Sequence, residues 1–241
     1  NVQYVEKHPE TYAHEVVDAM ASGTGPDLFM VEQQDLRTFV GKIQLIPYSA
    51  LSQATFTSSF VDEGQLFLTA QGALALPVSI DPLVMYWNRD LYATAGEPNP
   101  PLYWSSFITV APKLTKLEGG GIKKSAVSLG GWANIATAKE VLTTLFLQAG
   151  DPIIAGETPN GTPDVVFGST PPGAPENPAA SALQFYTEFV NPSKVTYSWN
   201  RSLPEAGDAF AAGDLATYFD FASHIAVLRN RNPNLHFGVI K

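Results

Sequence analysis

The sequence predicts an α/β fold, and three observations carry that prediction. Apolar residues recur at helical spacing over "NIATAKEVLTTLFLQAG". Short β-branched and aromatic runs lie between such segments, and the two patterns alternate to the last residue. Strand, helix and strand in succession is the rhythm of a parallel sheet covered by helices. The size agrees: 241 residues, 45% hydrophobic and 15% charged, suffice for one large or two modest domains with substantial cores.

Each element has a local reason. "NVQYV" alternates as a strand does, and residues 11–22 place Val16, Val17 and Met20 on one helical face before "SGTGPD" stops the helix. "LFMV" at 28–31 reads as a short buried strand, and residues 35–40 as a helix that Gly41 terminates. The stretch 72–88 is apolar, β-branched and aromatic, and Pro77 and Pro82 break it into two strand pieces that bend near Asp81. Asn88 then caps a short helix ending at Gly96. A helix over 105–115 contains Pro112, which should kink it or end it early. In the clearest helix, Asn134 can cap, and Ile135, Ala138, Val141, Leu142, Leu145, Phe146 and Ala149 form the apolar stripe before Gly150. Residues 151–178 are Gly- and Pro-rich and read as loop with one short strand at 165–167. Helix returns at Pro178 after Asn177. Ser202 and Glu205 form a capping-box pattern for a helix through Phe210 to Gly213. A strand "LATYFDF", a helix from Ser223 and a final strand "LHFGVI" close the chain.

Charge and motifs exclude several chemistries. With 23 acidic against 14 basic residues the formal net charge is -9, which argues against nucleic acid as a partner, because phosphate-backbone binding needs clustered Lys and Arg. The absence of Cys removes disulfides, thiolate catalysis and Cys-ligated metal while leaving the compartment open. No apolar run reaches the roughly 18–20 residues of a membrane span. The chain begins directly with "NVQYVEK", so a signal peptide is expected to have been removed or never included. His8, His14, His224 and His236 make no HExxH pair, and no GxSxG occurs. "GGGIKKS" lacks the order of a phosphate loop and reads as a turn, and Gly23 and Gly25 read as a helix stop rather than a dinucleotide site. Glu32, Asp81 and Asp220 could in principle supply paired carboxylates, but nothing in the spacing sets any two at catalytic separation. No cofactor or metal is indicated.

Four phrases, "ASGTGPDLFMV", "LPVSIDPLVMYWNRDLYATAG", "AFAAGDLATYFDF" and "NPNLHFGVI", stand in an order that resembles the extracellular solute-binding proteins of ABC importers. That group includes maltose-binding protein and has the periplasmic binding protein type II fold. The resemblance implies a two-lobe α/β fold with hinge strands, ligand held in an interlobe cleft and hinge closure around it. It implies residues 1–79 as a partial first lobe, with 237–241 as a strand returning to it. Residues 80–82 become a hinge crossing and 83–236 the second lobe. Family members extend beyond both ends of this sequence, so the fold is expected to be truncated at both ends.

Mapped through that resemblance, the ligand-binding residues fall at strand carboxyl ends and helix starts, where open α/β sheets bind ligands. Asp81 lies at the cleft floor, accepting either ligand hydroxyls or backbone N–H groups at the proline bend. Glu32, Gln33 and Gln34 lie at the first lobe's rim or form a solvated loop. Trp132, after a strand and beside Gly130 and Gly131 that would let a ligand approach the backbone, is a ligand surface or a core cover. Asp220 is a polar contact, Phe221 a stacking surface, and Ser223 chiefly a helix cap. Trp199 and Asn200 form a further pair on a loop. Tyr86 and Trp87 alternate along a strand, so at least one should be core.

Aromatic faces beside carboxylates and amides suit a sugar or oligosaccharide, with a polyamine as the alternative ligand. The resemblance implies no catalysis, a membrane permease as partner and an extracytoplasmic location, periplasmic or lipid-anchored at the cell surface. A carbohydrate-active enzyme using cleft carboxylates, and a noncatalytic adhesion or scaffold module, are the competing functions.

Overall fold

A computed structural model of the chain describes residues 3–157, 162–170 and 176–241. Two compact units result, Asn1–Ile80 and Asp81–Lys241.

In the first unit, α1 (Pro9–Ala21) starts on a proline whose missing N–H costs nothing at that position, and Gly23 follows it at φ 72. A 3-10 turn, Gln33–Asp35, leads into α2 (Leu36–Phe39), which buries Leu36 and Phe39. Phe39 packs on Phe29 with ring centroids 4.8 Å apart. β1 (Ile46–Pro47) pairs antiparallel with β2 (Gly72–Ala73), and α3 (Gln53–Ser59) lies between them in sequence. Ser52 caps α3 by accepting from the Thr55 N–H at 3.1 Å.

The strands expected at 1–5 and 28–31 do not form in the described part, residues 3–5 and 28–31. Strand-like side chains hold a strand only where a neighbour completes the ladder. Here the two-residue β1–β2 pair is the unit's one named ladder among the described residues. Leu28 and Met30 are accordingly exposed, not buried as expected.

The second unit contains β3 (Leu83–Asn88), α4 (Arg89–Thr94), α5 (Phe107–Leu114), β4 (Lys116–Glu118) and β5 (Gly121–Val127). There follow α6 (Ala138–Gln148), β6 (Ile154–Glu157), β7 (Pro163–Val165), α7 (Pro178–Glu188), α8 (Ala206–Ala211), β8 (Leu215–Phe221), α9 (His224–Arg231) and β9 (Phe237–Ile240). Five strands form one sheet in the order β4-β5-β8-β3-β9. Only β5 and β8 run parallel; the other pairs are antiparallel, so the sheet is mixed where a parallel one was expected. The segment read as a turn explains part of this. Gly119 and Gly120, at φ 60 and 83, make a tight hairpin that returns the chain antiparallel from β4 into β5.

Alternation along β3 divides its side chains between two cores. Val84 and Tyr86 join Phe210, Leu215, Tyr218 and Leu228 on the face covered by α8 and α9. Met85 joins Phe107, Val110, Val141, Leu145 and Tyr186 on the face covered by α5, α6 and α7. Helices on both faces make this unit a three-layer α/β body.

Five local expectations change. Pro112 does not end α5 early, since the helix continues to Leu114; Ile108, whose carbonyl loses its helical N–H partner, is on the exposed side where water can serve it. Asn134 does not cap the long helix, which starts at Ala138. Its amide is held by the facing loop: Oδ1 accepts from Trp199 Nε1 at 3.1 Å, and Nδ2 donates to the Asn200 and Leu203 carbonyls, each at 3.0 Å. The capping box is replaced by Glu205 itself, whose carboxylate accepts from the N–H groups of Gly207 and Asp208 at 2.7 and 3.3 Å. Residues 237–240 pair with β3 from Asn88↔Phe237 to Met85↔Ile240, so this stretch belongs to the second unit's sheet rather than to the first lobe. The expected loop at 151–178 contains the β6–β7 hairpin; residues 158–161 and 171–175 of it lie outside the described residues.

Candidate functional site

Because β5 and β8 are parallel neighbours, with Val127 opposite Thr217, both deliver their carboxyl ends to the same edge of the second unit's sheet. The turn after β5 is tied to that edge by Thr137, whose hydroxyl donates to the Phe219 carbonyl at 2.6 Å. β3 begins at the same edge, since Leu83 lies opposite Phe221. Topology therefore brings together the segments around Asp81, Trp132 and Asp220, where an open α/β sheet offers a binding surface.

Asp81 is exposed, and its carboxylate is engaged at both oxygens by one residue. Oδ1 accepts the Ser223 N–H at 2.8 Å and Oδ2 accepts the Ser223 hydroxyl at 2.6 Å. The adjoining Ala222 N–H donates to the Pro82 carbonyl at 3.0 Å. The chain thus enters the second unit clipped to the start of α9. A carboxylate offers about four acceptor sites, so this clip leaves Asp81 with further lone pairs toward solvent. Ser223, expected to cap α9, makes no side-chain cap bond, because its hydroxyl is given to Asp81.

Asp220 has the opposite character. It is 4% exposed, and burial of a carboxylate is tolerable only when it is well bonded. Oδ2 accepts from the Tyr218 hydroxyl and from His224 Nδ1, the latter at 2.8 Å; Oδ1 accepts the Phe221 N–H at 2.7 Å. Burial, then the bond to Asp220 and its charge, push the Tyr218 phenol well above its ordinary range. Tyr86 lies beside this pair, with its ring centroid 5.8 Å from that of Tyr218, and its hydroxyl donates to the Phe221 carbonyl at 2.7 Å. Burial, followed by the charges of Asp220 and Asp81, pushes Tyr86 up to about 12. Both phenols therefore stay neutral donors, and Asp220 organises the edge with little acceptor capacity to spare.

Trp132 is 65% exposed, a large apolar face left in solvent. The glycines before it are closely packed on their Cβ side. A Cβ on Gly130 would sit 2.8 Å from Val190 Cγ1 and 2.9 Å from the Tyr186 carbonyl oxygen, and one on Gly131 would sit 3.1 Å from the Trp199 ring. Phe221 is half-buried.

Two expected contacts do not reach the surface chemistry. Trp199 is fully buried in the core with its indole N–H on Asn134, so it presents no face to a ligand. Asn200 spends its amide internally: Oδ1 accepts from the Ser202 N–H at 2.9 Å and hydroxyl at 2.7 Å, and Nδ2 donates to the Tyr197 hydroxyl at 2.8 Å. In the first unit, Glu32, Gln33 and Gln34 are all exposed at the start of the 3-10 turn, and Gln34 Nε2 donates to Glu32 Oε2 at 2.7 Å.

Sequence reasoning missed the Tyr86–Tyr218–Asp220–His224 network. Two signals pointed to it: Tyr218 and Asp220 share one face of a strand by period two, and Asp220 and His224 stand four apart across a strand-to-helix junction. Ser223 and His224 are bonded to different acids, not to each other, which is not the geometry of an activated nucleophile. No group of three His, Asp or Glu side chains poised for a metal ion occurs among the described residues. No helix among them is long and apolar enough to cross a membrane.

A family model described as "Bacterial extracellular solute-binding protein" matches residues 1–241. A curated binding protein of Brucella abortus is 28% identical over 101 residues, 42% of this chain and 25% of the relative. Among solved structures, the fold matches a solute-binding protein of Thermotoga lettingae bound to α-D-tagatose. That match has TM-score 0.65 and 18% identity, covering 95% of this chain and 57% of the other. It also matches the GacH receptor of Streptomyces glaucescens, solved unliganded and with acarbose, at TM-score 0.67 and 17% identity, covering 100% and 58%. The chain therefore spans somewhat over half the length of these structures.

Proposed function

The chain belongs to the bacterial extracellular solute-binding protein family, and from that premise we propose that it is the ligand-capturing part of an ABC importer's extracytoplasmic receptor, taking a sugar or oligosaccharide. The observation that carries the reading is the shared edge at the ends of β5 and β8. There an exposed Trp132 ring, a half-buried Phe221 and a carboxylate with spare lone pairs, Asp81, occur within one fold-defined surface. Sugar C–H faces pack on aromatic rings and sugar hydroxyls need acceptors, which is the pairing this edge offers. The tagatose and acarbose complexes of the fold relatives lend the same direction to the ligand class.

In this reading Trp132 and Phe221 supply stacking, Asp81 accepts hydroxyls, and Asp220 positions the edge through Tyr218 and His224. Glu32, Gln33 and Gln34 supply the first unit's contacts. Residues 80–82 act as the hinge, ligand contacts favour the closed form, and a membrane permease reads that form. A micromolar dissociation constant needs about 8 kcal/mol, within reach of two stacked rings and several satisfied hydroxyls.

Isothermal calorimetry against a panel of mono- and oligosaccharides and polyamines, with product analysis on the same samples, tests the reading. Saturable binding of an unchanged sugar is expected. Turnover would replace it with an enzyme, polyamine-only binding would change the ligand class, and silence across the panel would favour a scaffold module.

A further inference from the structure

A groove of about 820 Å³ opens elsewhere on the second unit, between α9, the segment 232–236, β9 and the start of α4. None of the side chains of the Asp81–Asp220 network lines it. Its ionisable residues are Arg89, Asp90, Arg229 and His236; its apolar ones include Ile225 and Leu235.

Arg89 is held in place without a carboxylate. The Arg89 guanidinium lies over the Trp87 ring, 5.4 Å from its centroid, a contact that fixes the group while leaving its N–H donors unspent. Its own backbone N–H donates to the His236 carbonyl at 2.8 Å, anchoring α4 to the segment that leads into β9. Arg229 sits in the last turn of α9, where the helix dipole favours a cation. Neither arginine has an acid within ion-pair distance among the described residues, whereas neighbouring Arg231 is paired with Asp208. The groove's single acid, Asp90, stands 3.3 Å from His236 Nδ1. In a chain of net charge -9, two unspent guanidiniums in one concavity are a local exception. β9 adds to them: as the last strand of the sheet order it presents backbone N–H groups on its outer side without a ladder partner among the described residues.

The geometry points to a site for a phosphate-type oxyanion in this groove, bound by Arg89 and Arg229, with Ile225 and Leu235 accepting a short apolar appendage. Guanidinium forks match tetrahedral and planar oxyanions better than any other side chain does. The volume lies within the range of about 300–1,000 Å³ typical of small-ligand sites. Free phosphate and the headgroup of an anionic lipid share this chemistry.

The arginine side-chain Nε–H resonances, followed by NMR during titration with inorganic phosphate at low ionic strength and a chloride-matched control, test the assignment. Arg89 and Arg229 should shift saturably while Arg37 and Arg201 stay still. Arg89→Gln and Arg229→Gln should each weaken the response by about tenfold or more, with circular dichroism confirming an unchanged fold. Vesicles of phosphatidylglycerol and phosphatidylcholine separate the sources. Co-sedimentation that needs phosphatidylglycerol and both arginines identifies a headgroup; phosphate saturation without vesicle binding identifies a soluble anion. Uniform, non-saturating shifts of all arginines, or silence toward both phosphate and vesicles, would overturn the site.

Discussion

Replacing Asp81 by alanine removes two hydrogen bonds from Ser223, of 2.8 and 2.6 Å, that span 142 positions of sequence. The carboxylate is exposed, so each bond contributes at the low end of its class, about 0.5–1 kcal/mol. Their joint loss should destabilise the second unit by about 1–2 kcal/mol, or about 3–6 °C in Tm for a domain of this size. Ser223→Ala removes only the hydroxyl bond and should cost about 0.5–1 kcal/mol. Asp81→Asn, which still accepts the N–H, should lie between wild type and Asp81→Ala. A double-mutant cycle on urea unfolding isolates the contact, and the coupling between Asp81→Ala and Ser223→Ala should be about 0.5–1 kcal/mol. Strict additivity, within about 0.3 kcal/mol, would refute the clip. The same variants separate structure from recognition. If Asp81 also accepts ligand hydroxyls, Asp81→Ala should weaken sugar binding by more than about 1 kcal/mol, while Ser223→Ala, which spares the carboxylate, should not.

Three further outcomes follow from the same geometry. Trp132→Ala should leave stability within about 0.5 kcal/mol, yet weaken sugar binding by more than about 1 kcal/mol by calorimetry, whereas Trp199→Ala should cost about 3–5 kcal/mol in chemical denaturation. Gly130→Ala, at φ 88 with a Cβ pressed against Val190 and the Tyr186 carbonyl, should destabilise by about 1–3 kcal/mol in thermal melts, more than Gly23→Ala, where the space is open. Tyr86 and Tyr92, each raised from 10 to about 12 by burial above all, keep their protons in the folded state where the unfolded chain has lost them. The stabilisation is fully present below pH 10 and is lost as pH rises through about 12. Ultraviolet tyrosinate titration of native against denatured protein should show the delayed ionisation; coincident curves would refute it.

Elements with their own local signature were legible in the sequence. Asn177 followed by Pro178 announces α7, and the structure has Asn177 Oδ1 accepting the Ala180 N–H at 3.1 Å; Asn88 likewise caps α4. The failures share a cause, competition from partners distant in sequence. Asn134 is a good cap by type, but a loop some 65 positions away takes its amide. Ser223 is drawn off by Asp81 in the same way. "LFMV" has strand composition without a strand beside it. Trp199 illustrates the limit for sites: an aromatic in "YSWNRS" looks exposed because its neighbours are polar, and only the tertiary fold shows that the ring fills the core while those neighbours bond to one another.

The two acids at the sheet edge show why residue type alone could not assign roles there. Asp81 and Asp220 are both assigned to the ligand by the family resemblance, which does not distinguish one carboxylate from the other. Burial divides them. Asp220 must be satisfied from within, and the three donors that satisfy it, Tyr218, His224 and the Phe221 N–H, fix the backbone on which Phe221 is carried. Asp81, in solvent, needs no such complement and uses one residue to fix the chain's entry into the unit. Removing Asp220 would therefore leave Tyr218 and His224 without their shared acceptor and disturb the edge as a whole. Removing Asp81 loosens one crossing and deletes one acceptor. The edge thus carries two kinds of acid, one that holds the geometry and one that remains available.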